Sequence, residues 1–180
     1  MMKQVEINQT IHLSEHLASP SEAALGHLSE LNGSRLSPHF TLGEMTKTSY
    51  HPLGGNIPSR IHIENLRRLC GWLERLREEW NSRYGEGDDP VVINSGYRSE
   101  ELNRMCGGAT GSNHLTGCAA DIRCLGPEQQ IRYATILLDV ADQTGEDFDE
   151  LILERRGTTR WVHFAVRPKD NRRKTSFIMA

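Results

Sequence analysis

Apolar residues recur three or four apart through IHIENLRRLCGWLERLREEW, residues 61 to 80. Leu66, Leu69, Leu73, Leu76 and Trp80 form one stripe, and charged residues fill the opposite face. That period predicts an amphipathic helix. A second helix is expected over GPEQQIRYATILLDVADQTG, with Pro127 in its first turn and Gly145 just past its end. VVIN (91–94) and AADIRC (119–124) read as strands, and SEELNRMCGG as a helical turn ended by glycine. Further upstream, Thr41 and Glu44 have the spacing to cap a brief helix before a turn at His51 to Gly55. DELILE and WVHFAV are two strands joined by RRGTTR. The order predicts an α+β fold, with helices packed on a small, mainly antiparallel sheet.

Polar sequence broken by Pro20, Gly26, Gly33 and Pro38 fills the first forty or so residues. Within it, SPSEAALGHLSEL has the Ser-x-x-Glu start of a short capped helix. We therefore divide the 180 residues into a peripheral N-terminal arm, 1–37, and one domain, 38–180. The stretch RPKDNRRKT near the other end reads as a solvated basic segment.

Composition narrows the classes. Hydrophobic residues make up 37% and charged residues 25%, an ordinary globular balance. A formal net charge of −3 argues against a nucleic-acid partner. No apolar run approaches the roughly 18 residues of a membrane span, and no secretory signal is read at the N-terminus. Cys70, Cys106, Cys118 and Cys124 have irregular spacing without a Cys-x-x-Cys pair, so free buried thiols are expected rather than a zinc knuckle.

Three polar features stand out against this background: NSGYRSEELN at 94–103, SNHLTGCAAD at 112–121, and His163 inside an otherwise apolar strand. His114 and Asp121 are seven residues apart, about 20 Å on a straight strand. Gly117 between them allows a bend that would let both side chains converge. His163 lies on the strand face opposite Val162, Phe164 and Val166, where a polar ring needs a partner. Two histidines and an aspartate suit a zinc ion that keeps one position open. A surface His–Asp hydrogen bond and a core histidine satisfied by a carbonyl are the plainer alternatives. If Gly157-Thr158 is a two-residue turn, Ile152 opposes His163 and Glu154 opposes Trp161, so Glu154 and His163 share a face. A three-residue loop would send the glutamate to the other side.

Ser112-x-His114-x-x-Gly117-x-Ala119-x-Asp121 resembles the signature of the M15 metallopeptidases. Ser95-Gly96-Tyr97-Arg98-Ser99 with Leu102-Asn103, and Trp161-Val162-His163, match that pattern in the same order, so the resemblance covers roughly residues 38 to 167. It implies a hedgehog/DD-peptidase-like fold and one Zn2+ ion held by His114, Asp121 and His163. It also implies hydrolysis of a peptide bond in peptidoglycan stem peptides, by a D-alanyl-D-alanine carboxypeptidase or a phage endolysin-type endopeptidase. Arg98 would steady a substrate carbonyl or carboxylate and Ser112 would assist binding, although a structural arginine and a loop cap are the plainer readings. Tyr97 and Trp161 are candidate substrate contacts that also suit packing, with Trp161 placed to wall a cleft. Many members carry a catalytic acid three residues before the last histidine, where this chain has Arg160. The remaining acids nearby are Glu154, Glu150 and Asp149. A Leu-Ile-x-Glu strand in the phage-like branch makes Glu154 the expected general base. Without a signal peptide, a phage or prophage lysin that accumulates in the cytoplasm before reaching the cell wall is expected. A non-catalytic zinc or wall-binding module and a phage structural component are the competing classes, and Arg160 is their best argument.

Overall fold

The computed structural model describes residues 33–179. The short helix expected near residue 25, and most of the proposed arm, lie outside them. Helix α1 (Leu42–Thr46) begins at a reciprocal cap: Thr41 accepts from the Glu44 amide, and the Glu44 carboxylate accepts from the Thr41 amide. Helix α2 (Arg60–Arg83) buries Leu66, Leu69, Leu73, Leu76 and Trp80, the stripe read from the sequence. Strand β1 (Ile93–Ser95) follows, then helix α3 (Glu100–Met105), a 3-10 turn (Asn113–Thr116) and strand β2 (Ala119–Cys124). Helix α4 (Pro127–Thr144) starts on Pro127 and ends at Gly145, as its punctuation predicts. Strands β3 (Glu150–Arg156), β4 (Thr159–Ala165) and β5 (Lys174–Met179) complete the domain.

The five strands form one sheet in the order β1-β2-β4-β3-β5. Every pairing is antiparallel except β3 with β5. The fold is therefore α+β with a mixed, mainly antiparallel sheet. Alternation along the strands gives the sheet two unlike faces. Ile122, Val162 and Phe164 join the core with Leu66, Leu69 and Leu73 of α2 and Ile136 and Leu137 of α4. Trp72 packs on Phe164 at 5.4 Å between ring centroids, and Trp80 meets Tyr133 edge-on at 4.9 Å. Gln130 reaches from α4 to donate to the carbonyls of Glu154 and Trp161, at 2.9 and 2.7 Å, fixing the helix over the β3–β4 hairpin. Among the described residues, no helix is long and apolar enough to cross a membrane.

Two expectations need correction. The basic segment after residue 166 is not a solvated end: it delivers β5 to the sheet and clamps an acidic centre. Asp149 is fully buried, and both its oxygens accept from Arg172, at 2.8 and 2.6 Å. Arg167 pairs with the same carboxylate at 3.0 Å, and Arg173 pairs with Asp147 at 3.0 Å and with Asp142. A run of cations looks solvated when its partners lie some twenty residues upstream. The thiols also divide: Cys70, Cys118 and Cys124 are buried as expected, whereas Cys106 is exposed.

Burial resists ionisation of Asp149, but the hydrogen bonds from Arg172 and Asn113 and the charge of Arg167 win and hold its carboxyl below the usual range. A depressed folded-state pKa contributes stability that is present above the unfolded value, about 3.9, and lost as pH falls through the folded value. Asp149→Asn should therefore cost about 2 to 3 kcal/mol at pH 7, less than a fully buried pair because the guanidiniums reach solvent. In urea titrations the gap between wild type and variant should close as pH falls below about 4.

Candidate metal centre

The face of the sheet turned away from α2 and α4 carries the polar residues. Register places Ser95, Asp121, His163 and Ile152 in one row across β1, β2, β4 and β3. The next row holds Arg123, Trp161 and Glu154, and the row on the other side holds Ala119, Ala165 and Glu150. Ile152 opposes His163 and Glu154 opposes Trp161, the pairing that a Gly157-Thr158 turn demands. Gly157 takes φ of +59°, as a tight hairpin turn requires.

His114 reaches this face from the 3-10 turn. Ser112 starts that turn, its hydroxyl accepting from the His114 amide at 3.3 Å. Gly117 ends it in the left-handed region at φ +71°, and its amide donates to the His114 carbonyl at 3.2 Å. The chain reverses there and runs into β2. Space as well as angle favours glycine at this point: a Cβ would sit 2.6 Å from the His62 carbonyl oxygen. The bend brings His114 Nε2 to 3.2 Å from Asp121 Oδ1, and His163 Nδ1 lies 3.0 Å from the same oxygen. Among the described residues, His114, Asp121 and His163 form a group whose ligand atoms all lie within 4.8 Å of one another. All three are buried.

Hydrogen bonding decides what this cluster can hold. His114 Nδ1 is 2.6 Å from the Gly96 carbonyl oxygen, so that nitrogen carries the hydrogen. Nε2 then turns a lone pair toward the Asp121 carboxylate. Two acceptors this close need a cation between them. Burial pushes the His114 pKa down, despite the charge of Asp121, and so disfavours a proton there. Asp121 is held far below the carboxylate range: burial opposes its charge, but His114 and His163 outweigh the burial. At His163, burial is outweighed by Asp121 and Glu150, which lift the imidazole to about 9. Two imidazoles and one carboxylate, with all three ligand atoms converging, fit a zinc ion with an open fourth position.

The segment Ser95–Arg98 is fixed just as firmly. Gly96 lies against α1, where a Cβ would come within 2.3 Å of the Met45 carbonyl oxygen. Asn56 donates to the Tyr97 carbonyl at 2.9 Å and accepts from the Ser99 amide at 2.8 Å, gripping the backbone on both sides of Arg98. The Arg98 amide donates to the His114 carbonyl at 3.1 Å. Its guanidinium donates to Ser95 Oγ at 2.8 Å and to Asp121 Oδ2 at 2.5 Å. Tyr97 is buried, its ring stacked on His62 at 4.9 Å. Trp161 is half-buried beside Glu154. Cys118 is buried, with its sulfur 3.8 Å from the Thr116 carbonyl oxygen.

The three acids near the last strand pair have unlike surroundings. Asp149 is bound to Arg172, Arg167 and Asn113. Glu150 is bound to Asn113, Arg172 and Lys174 and lies 3.5 Å from His163 Nε2. Glu154 is half-buried, and burial together with the charge of Asp121 pushes its pKa up. Arg160 pairs with Cys124 and Arg155, so regular alternation assigns it to the face of Val162 and Phe164, away from His163. Sequence reasoning passed over Asn56 and Asn113. Only the position of Asn113, directly before His114 in the signature, could have flagged it.

A buried cluster of two histidines and an aspartate on a sheet face, with an arginine beside it, defines a candidate metallohydrolase centre. The profile of the family Peptidase M15 matches residues 38–164, and the chain belongs to that family. It is similar to the zinc D-Ala-D-Ala carboxypeptidase of Streptomyces albus G, with 30% identity over 84 residues. That match takes in 47% of this chain and 31% of the Streptomyces protein, so it spans about a third of the relative's length.

Gly117→Ala tests the bend. The left-handed backbone and the His62 carbonyl together should cost about 2 kcal/mol or more, read as a lower urea midpoint at unchanged slope.

Proposed function

We propose that this chain is a zinc peptidase that hydrolyses a peptide bond in peptidoglycan stem peptides, with release of a terminal D-alanine as its foremost reaction. The observation that carries this reading is the convergence of His114, Asp121 and His163 within 4.8 Å on a sheet face that also holds Arg98 and Glu154. Family membership and the similarity to a zinc D-Ala-D-Ala carboxypeptidase support the metal and the substrate class. Endopeptidase cleavage of the stem, as by a phage or prophage lysin, is the alternative for the same site.

His114 through Nε2, His163 through Nδ1 and Asp121 would hold the ion. When bound, zinc supplies a Lewis acid that polarises a carbonyl and lowers the pKa of water. The protein's own groups do the rest. Arg98 is anchored through its backbone, Ser95 and Asp121, which leaves Nη1 of its guanidinium to hold the substrate's carbonyl or terminal carboxylate by a charge-assisted hydrogen bond. Glu154 faces the site from the strand beside His163. Its raised pKa suits a group that takes a proton from the attacking water and hands it to the leaving nitrogen. Trp161, opposite Glu154, walls the same side, and Ser112 holds the turn that presents His114. The Tyr97 ring is packed against His62, which favours a supporting part over substrate contact. Arg160 stands where many members carry the catalytic acid, and regular alternation assigns it to the face of Val162 and Phe164, so the reading places the base on Glu154 instead.

Zinc analysis of the purified chain should give one equivalent, and His114→Ala should hold less than one. With muropeptides as substrate, Glu154→Gln should keep its zinc and lose about a hundredfold to ten-thousandfold in kcat, the range of general acid–base catalysis. Free D-alanine identifies the carboxypeptidase, and internal stem fragments identify the endopeptidase. A zinc-replete wild type that yields neither product would contradict the reading. Undiminished turnover in Glu154→Gln would remove Glu154 as base and nothing else.

A further inference from the structure

We infer that Glu150 is a positioning residue for the metal centre: it fixes the ring of His163 from behind and is itself held by the segment that leads into β5. The inference rests on His163 being a ligand, as proposed above. Glu150 opposes Ala165 across the β3–β4 hairpin, so it shares the face of His163 on the side away from Glu154. With His163 Nδ1 turned to Asp121, the other nitrogen, Nε2, lies 3.5 Å from Glu150 Oε2. A ring that gives Nδ1 to a metal carries its hydrogen on Nε2, and that hydrogen needs an acceptor to set the ring's angle.

The surroundings of Glu150 show why the acceptor has to be a carboxylate. Oε2 also accepts from Asn113 Nδ2 at 3.0 Å. Oε1 faces Lys174 Nζ at 3.2 Å and Arg172 Nη2 at 3.0 Å. Every one of these neighbours is a donor, so the residue between them must accept on both atoms. Glutamate does so; glutamine would turn its amide hydrogens against either Asn113 and His163 or the two cations. The Glu150 side chain is only 15% exposed, which separates this contact from a solvated surface pair.

Register accounts for the assembly. The parallel pairing of β3 with β5 sets Glu150 opposite Lys174, and the Lys174 amide donates to the Asp149 carbonyl at 3.0 Å. Asn113 closes the circuit: it directly precedes His114, donates to both Asp149 and Glu150, and accepts from Arg167 at 3.2 Å. One amide side chain thus links the turn bearing one histidine to the carboxylate behind the other. The basic segment, from Arg167 to Lys174, belongs to the metal centre although none of it touches the ion's place.

Two readouts besides activity test this. Zinc affinity, measured by competition with a chromophoric chelator, should weaken about 10- to 100-fold in Glu150→Gln, the usual loss for an outer partner of a metal-bound histidine. Glu150→Asp keeps two acceptor oxygens on a shorter stem and should fall between wild type and Glu150→Gln. In the zinc-loaded protein, long-range proton–nitrogen NMR should show an Nε2–H signal for His163 and an Nδ1–H signal for His114. Glu150→Gln should move the first upfield or expose it to solvent exchange and leave the second in place. If Glu150→Gln does not fold, Glu150→Asp decides by the same two measurements. Affinity within twofold of wild type and an unmoved Nε2–H signal would overturn the inference. A wild type whose zinc affinity is indifferent to His163→Ala would overturn the site reading itself, whatever position 150 does.

Discussion

Two imidazole rings and one carboxylate converge on one point where water scarcely reaches. The carboxylate's charge is costly there unless a cation, the His163 imidazolium or a metal ion, neutralises it. The surrounding structure keeps those groups from relaxing apart. His114 is pinned through Nδ1 to the Gly96 carbonyl, and Asp121 and His163 are locked as a directly opposed pair on adjacent strands. Arg98 offsets part of the negative charge through Asp121 Oδ2. The site is thus pre-organised by elements that each do something else for the fold.

The sheet makes this possible by being two surfaces in one. Its apolar face takes α2 and α4 and supplies the core, which leaves the other face for polar work. A β4 without a bulge is decisive here. Its strict alternation places Val162 and Phe164 against the helices and His163 toward the site, and it assigns Arg160 to the core side. On the neighbouring strand, Glu154 is diagonal to His163 and shares its face. Glu150 lies on the other side of the histidine, in a nest of donors. Two glutamates equidistant from His163 in register are therefore given opposite characters by what packs around them: one has a raised pKa and the other is clamped as an anion.

Much of this was legible from local sequence. Helix periods and caps marked α2 and α4 to within a few residues, because Pro127 and Gly145 punctuate one and a leucine stripe defines the other. The two-residue turn at Gly157-Thr158 was enough to pair Ile152 with His163, since hairpin parity depends only on turn length. Gly117 announced the bend, although the 3-10 turn that completes it has no signal of its own. What escaped was non-local. β5 pairs in parallel with β3, so a connection rather than a tight turn separates them, and its cations look idle without Asp149 and Glu150 beside them. Asn56 and Asn113 do their work through backbone and carboxylate partners that only the folded chain supplies.

The most direct test of the account is zinc K-edge X-ray absorption on the zinc-loaded chain. Two imidazole nitrogens and a carboxylate oxygen predict a shell of light atoms at about 2.0 to 2.2 Å, with the outer scattering of two histidine rings. A sulfur shell near about 2.3 Å would bring Cys118 or another thiol to the metal, and the loss of imidazole scattering would remove His114 or His163; either result would contradict it.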